Sequence, residues 1–217
     1  MKYDIEAVIF DFDGVIVDSG ADIVNAVQYT LRQFKQPELP YNEIIGYVGH
    51  GAKELIRKSF KGCSEQMIEE AFPVYKNYYL EHAIVETKLY LNVKETLTAL
   101  KDRKKKIALV TNKPEDLALK ILKGLEVEEY FDSVIGPESV KKMKPDPEGI
   151  LKVVREFGVK TELAVMVGDS HTDVEAGRSA GTITCGVTYG LGDRDELVKS
   201  APNFFIDEMS KLIEYIE

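Results

Sequence analysis

A doubly wound α/β fold, a parallel sheet interrupted by one helical block, is predicted by three features of this 217-residue sequence. Short apolar runs rich in β-branched residues recur along the chain and alternate with helical stretches. The runs carry little polar alternation, as expected of parallel strands covered on both faces. One long region after the first run contains no strand at all.

The first strand is residues 5–10 (IEAVIF), which end abruptly in acidic residues and glycine. Four more buried strands are predicted at 106–110, 133–135, 163–167 and 182–187. Helices are predicted at 93–104, 114–124, 147–157 and 172–180. Pro114 and Pro147 sit where first-position prolines belong, and Glu115, Asp116 and Glu148 place negative charge in first turns. The basic run from Arg103 to Lys106 closes a helix and reads as a solvated face. Residues 19–85 read instead as three or four helices. Segments 44–60 and 64–80 carry apolar residues at helical spacing, including Leu55, Ile56, Phe60, Ile68, Phe72, Tyr75 and Tyr79, a pattern that packing explains. Residues 36–40 (QPELP) form an interhelical loop. The expected organisation is a core of residues 1–18 and 86–217 with an inserted helical cap of residues 19–85.

Composition bounds the function. With 44% hydrophobic and 30% charged residues, the chain has the make-up of an ordinary soluble protein. A chain this long buries roughly 70% of its unfolded surface and needs no disulfide or structural metal to fold. Its two cysteines, Cys63 and Cys185, match no metal-ligand spacing and read as reduced thiols. No segment reaches the ~18 apolar residues of a membrane span, and the start of the chain lacks signal-peptide character. A cytoplasmic location and no membrane partner are expected. The net charge of −9 argues against a nucleic-acid surface. It leaves room for a small anionic substrate, because a metal ion and a few lysines can reverse the local field.

The chemistry is concentrated just past predicted strands, where ligands of doubly wound sheets bind. Asp11 and Asp13 follow the first strand and can present two carboxylates with different tasks. Gly14 beside them permits close backbone approach to an anion. Carboxylates this close are costly without an intervening cation, which implies a Mg²⁺ site. Thr111, Asn112 and Lys113 follow the 106–110 strand and offer a hydroxyl, an amide and a charge to phosphate oxygens. Lys144, just before a helix, suits neutralisation of a transferring phosphoryl group. Asp169 and Asp173, in the segment GDSHTD after the 163–167 strand, supply hard oxygen ligands.

With DFDGV at 11–15, TN at 111–112, KP at 144–145 and GDSHTD at 168–173, the chain resembles the haloacid dehalogenase superfamily over nearly its whole length. The resemblance implies a Rossmann-like core with a helical cap inserted after the first motif. It implies Asp11 as nucleophile and Asp13 as general acid/base. Thr111 and Lys144 would hold the phosphate. Asp11, the Asp13 backbone carbonyl and Asp169 would bind Mg²⁺, with Asp173 supporting the metal shell.

The physical chemistry agrees with these roles. Phosphoryl transfer needs positioning and charge neutralisation, and a carboxylate is already ionised at neutral pH. A poor alkoxide leaving group needs a proton, which Asp13 can supply before withdrawing one from water. Halide-displacing members of the superfamily lack this second aspartate. Residues 46–52 (GYVGHGA) are similar to a cap segment of phosphoglycolate phosphatases. Gly49, His50 and Lys53 are therefore candidate substrate contacts, with a tight interhelical turn as the alternative. His82 and His171 read as structural or exposed.

The expected activity is Mg²⁺-dependent hydrolysis of a small phosphorylated metabolite, phosphoglycolate-like, by a monomer or homodimer. Sugar-phosphate hydrolysis and pyrophosphate hydrolysis remain alternatives, as does a β-phosphoglucomutase-like reaction. Enzymes of that last kind carry a histidine where this chain has Ile23, which cannot exchange a proton with a sugar hydroxyl.

Overall fold

In a computed structural model describing residues 2–217, β1 (Ala7–Phe10) lies in the interior of a six-stranded sheet. The other strands are β4 (Lys106–Val110), β5 (Ser133–Ile135), β6 (Ala164–Gly168), β7 (Ile183–Val187) and β8 (Phe204–Ile206). Their order is β5-β4-β1-β6-β7-β8 and every pairing is parallel. Phe10 pairs with Leu109 on one side and Val167 on the other, so β1, β4 and β6 end at one level.

Alternation along the strands separates two apolar layers. Val8, Phe10, Ile107 and Leu109 belong to one cluster; Ala7, Ile9, Ala108 and Val110 belong to the other. The first layer packs against α5 (Val93–Asp102) and α6 (Glu115–Gly124) through Leu97, Leu100, Leu117 and Ile121. The second packs against α7 (Glu148–Phe157) and α8 (His171–Ala180) through Ile150, Val153 and Ala176. Coverage on both faces explains why the strands read as unbroken apolar runs. The chain ends with α9 (Arg194–Lys199) and α10 (Leu212–Tyr215).

Between β1 and α5 lie α1 (Gly20–Gln33), α2 (Tyr41–Ile45), α3 (Ala52–Ser59) and α4 (Glu65–His82). Their buried faces, including Leu31, Ile56, Ile68 and Tyr79, continue the first apolar layer outward. Ser64 starts α4 by accepting the Met67 N–H.

Several expectations need correction. The 44–60 segment is two helices, because Gly49 and Gly51 adopt φ of +98° and +93° and break the helical run. Pro114 and Pro147 are cap residues, one position ahead of the first helical turn. The basic run straddles a turn: α5 ends at Asp102 and Lys106 already belongs to β4. A two-stranded antiparallel ribbon joins β2 (Val17–Asp18) to β3 (Lys88–Leu89), on the two chain segments that enter and leave the helical block.

That ribbon is reinforced by Asp22 at the start of α1. Its buried carboxylate accepts the backbone N–H groups of Val85, Glu86 and Thr87 and the Thr87 hydroxyl, at 2.7–3.1 Å. Asp22→Ala leaves these four donors, two of them buried on Thr87, without an acceptor. The variant is expected to lose about 3 kcal/mol of stability, read as a lower urea midpoint at unchanged m-value.

Candidate active site

Asp11 continues the β1 ladder by donating its backbone N–H to the Val167 carbonyl at 2.9 Å. The chain then turns sharply: the Phe12 carbonyl accepts from the N–H groups of Val15, Ile16 and Val17. Gly14 takes φ of +82°, and a Cβ there would lie 1.9 Å from Asp169 Oδ2. The glycine makes room for a protein carboxylate rather than facing the cleft.

Beyond the strand ends, Asp11, Asp169 and Asp173 are all buried and offer oxygens within 4.8 Å of one another. Lys144 Nζ lies 2.6 Å from Asp173 Oδ1 and 2.8 Å from Asp11 Oδ1. The second contact is an ion pair outside hydrogen-bond geometry, and buried Asp11 Oδ1 has no hydrogen-bond partner. Asp169 Oδ2 accepts the Leu191 and Gly192 N–H groups at 2.7 and 2.9 Å. Asp173 is fully engaged: Oδ2 takes the Ser170 N–H and hydroxyl while Oδ1 takes Lys144. An all-oxygen donor set with an orphaned buried oxygen fits a hard divalent cation. Asp11 and Asp169 keep carboxylate oxygens that such an ion could use, whereas both Asp173 oxygens are taken and one of them orients Lys144.

The electrostatics point the same way. Burial raises the Asp11 carboxyl, Lys144 opposes it and Asp173 adds to it, leaving it at about 6. Burial, then Asp173 and Asp11, push Asp169 up to about 8 against its two backbone N–H bonds. Burial works against the Lys144 charge, but Asp11 and Asp173 outweigh it and hold the ammonium above its ordinary value.

Asp13 stands apart from this cluster. Ser19 Oγ donates to its Oδ1 at 2.5 Å, and Lys113 Nζ lies 2.9 and 3.2 Å from its two oxygens. Lys113 also donates to the Tyr79 hydroxyl of α4 at 2.7 Å. Burial first, then nearby Asp13, hold the Tyr79 phenol well above its ordinary value, so it stays a neutral hydroxyl.

Thr111 and Asn112 follow β4 as expected, but the structure gives Asn112 a bridging position. Its Oδ1 accepts the Lys144 N–H, and its Nδ2 donates to the carbonyls of Lys144 and Gly49. Both ends of the amide are occupied by protein. A cleft of about 620 Å³, counted to its open mouth, lies over Asp11, Asp13 and Thr111. Ile23, Leu55, Tyr75 and Tyr79 roof it from the helical block, and Gly49 reaches its wall. His50 and Lys53 do not line it: the His50 ring faces His171 at 6.1 Å between centroids, and Lys53 pairs with Glu69 on the surface.

Tyr79 and Ser19 are contacts that motif reading left unassigned, and Lys113, expected to offer its charge to phosphate oxygens, pairs instead with Asp13 and Tyr79. Lys113 had a signal in its place directly after Thr111-Asn112. Tyr79 was hidden in an apolar stripe that packing alone accounts for.

A family model for haloacid dehalogenase-like hydrolases matches residues 8–187, and the chain belongs to that family. Its relatives place it in the phosphoglycolate-phosphatase-like subgroup. It is 35% identical to the phosphoglycolate phosphatase of Aquifex aeolicus, over 97% of this chain and 96% of that one. It is also 35% identical to a Clostridium perfringens protein provisionally named pyrophosphatase PpaX, over 98% of each. The crystal structure of a "predicted phosphoglycolate phosphatase" from Haemophilus somnus 129PT superposes with a TM-score of 0.93 at 28% identity, covering 97% of both chains. Among the described residues no helix is long and apolar enough to cross a membrane.

Without a cation, folded Asp11 and Asp169 keep protons that the unfolded chain releases near the ordinary value of 3.8. Stability in chelator therefore falls as pH rises through about 6 and about 8. Thermal melts are expected to show that fall, and added MgCl₂ should raise Tm more at pH 8 than at pH 5.

Proposed function

We propose that this protein hydrolyses a small anionic phosphomonoester, phosphoglycolate-like, through a phospho-aspartate on Asp11 with Mg²⁺ as cofactor. By reaction class it is a phosphoric monoester hydrolase. The observation that carries the mechanism is the division of labour between the two aspartates: Asp11 sits in the buried lysine-paired cluster, and Asp13 is held separately by Ser19 and Lys113.

Asp11, the Asp13 backbone carbonyl and Asp169 would hold the magnesium ion, with Asp173 as support. Bound there, the ion would neutralise the phosphate and relieve repulsion among the carboxylates. An Asp11 oxygen attacks phosphorus, and the bond to the leaving-group oxygen breaks. Lys144 balances charge on the phosphoryl group, and the Thr111 hydroxyl orients it. Asp13 gives a proton to the departing oxygen, then takes one from the water that releases phosphate from Asp11. The helical block, residues 19–85, acts as a cap over a core of residues 1–18 and 86–217 and keeps bulk water from the intermediate. The substrate is a cytoplasmic metabolite.

Ile23 lines the cleft and exchanges no proton, which speaks against a phosphomutase. Pyrophosphate is a second reading, supported by the name of the Clostridium perfringens relative.

Asp13→Asn separates the two half-reactions. p-Nitrophenolate leaves with little acid help, so this variant is expected to release a burst near one nitrophenolate per site and then stall. Asp11→Asn is expected to give no burst. A burst in Asp11→Asn moves the nucleophile elsewhere, and steady near-native turnover in Asp13→Asn removes Asp13 as base. Turnover should cease in excess chelator, return with Mg²⁺ and be inhibited by Ca²⁺, which accepts looser coordination.

A further inference from the structure

We infer that Lys113 is the subsite for a second anionic group on the substrate, a carboxylate or second phosphate only a few bonds from the transferring phosphoryl. This rests on the phosphatase reading above and narrows its substrate class to short, doubly anionic phosphates.

Among the described residues that line the cleft, Lys113 is the only basic one. Its side chain is 3% exposed, so its charge is not spread into bulk water. The roof over it is apolar: Ile23, Val48, Ala52 and Leu55 line the cleft and offer no cation. The other buried lysine, Lys144, is committed to Asp11 and Asp173. Lys53 and His50 lie outside the cleft. A second negative charge on a bound phosphate therefore has one cationic partner in reach.

Position decides which part of the substrate Lys113 meets. Its Nζ is 2.9 Å from Asp13 Oδ1, and Asp13 serves the leaving-group oxygen. The ammonium thus stands beside the first atoms of the leaving group, apart from the Asp11, Asp169 and Asp173 carboxylates. An ammonium has three N–H donors. Asp13 and the Tyr79 hydroxyl occupy two directions, and the third can meet the substrate. The Tyr79 ring, centred 4.4 Å from Nζ, holds the ammonium in place from the α4 side. Little reach remains for an anionic group far along a sugar chain, and among the described residues no second cation lines the cleft to receive it.

The test compares kcat/KM, with Mg²⁺ present, for 2-phosphoglycolate, its neutral twin 2-hydroxyethyl phosphate, and 4-phosphooxybutanoate, whose carboxylate lies farther away. The unaltered protein should prefer 2-phosphoglycolate over both others by on the order of ten-fold or more, the scale of one charge-assisted hydrogen bond. Lys113→Met should slow all three, because Asp13 loses its partner, and should bring the ratio to within roughly three-fold, as the lost bond requires. A preference retained in Lys113→Met overturns the assignment. So does the absence of any preference in the unaltered protein, a result that needs no variant to fold. p-Nitrophenyl phosphate separates the two levels. Its hydrolysis alongside a flat ratio sinks the Lys113 subsite alone, whereas failure to hydrolyse it sinks the phosphatase reading and the subsite with it.

Discussion

Four carboxylates and two ammonium groups share the small space beyond β1, β4 and β6, and most of the site is arranged around that imbalance. Asp11, Asp169 and Asp173 are buried together, where mutual repulsion and lost hydration both favour protonation. Lys144 joins two of them but leaves Asp11 Oδ1 without a hydrogen bond. A divalent cation would resolve what one lysine cannot. The surrounding backbone is shaped to let the carboxylates come this close. Gly14 leaves the space that Asp169 Oδ2 fills, and the Leu191 and Gly192 N–H groups meet that same oxygen.

The parallel sheet makes this crowding reproducible. Three neighbouring strands end level, so residues far apart in sequence arrive at one edge with fixed spacing. The helical block is then tied down at three points. Asp22 clamps the segments around the β2–β3 ribbon, Asn112 links Gly49 to the Lys144 backbone, and Tyr79 meets Lys113. Two of these ties run through Asn112 and Lys113, the two residues that follow Thr111. Movement of the helices away from the sheet would therefore disturb both lysines, through the backbone of one and the ammonium of the other.

Much of this was legible in sequence because three of the four chemical motifs directly follow buried apolar strands, with Lys144 nine residues beyond short β5, and strand order brings them together. What escaped reading has physical causes. The β2–β3 ribbon has two residues per strand, too few to show a period. The break between α2 and α3 depends on positive φ at Gly49 and Gly51, which a helical hydrophobic pattern masks. β8 has three residues, with Phe205 exposed between buried Phe204 and Ile206. Side-chain direction was the hardest to foresee. Asn112 sits in a phosphate-type motif yet spends its amide on the protein, and Lys113 next to it carries the contact to Asp13.

The central claim is that Asp11 forms a covalent bond to phosphorus. Acid quench during turnover of p-nitrophenyl phosphate, followed by borohydride reduction and peptide mass spectrometry, tests it directly. An acyl phosphate on Asp11 is reduced to an alcohol, leaving homoserine at that position and unchanged aspartate at Asp13, Asp169 and Asp173. Homoserine at one of those other positions, or unmodified Asp11 in a sample quenched from the stalled Asp13→Asn protein, would contradict the account.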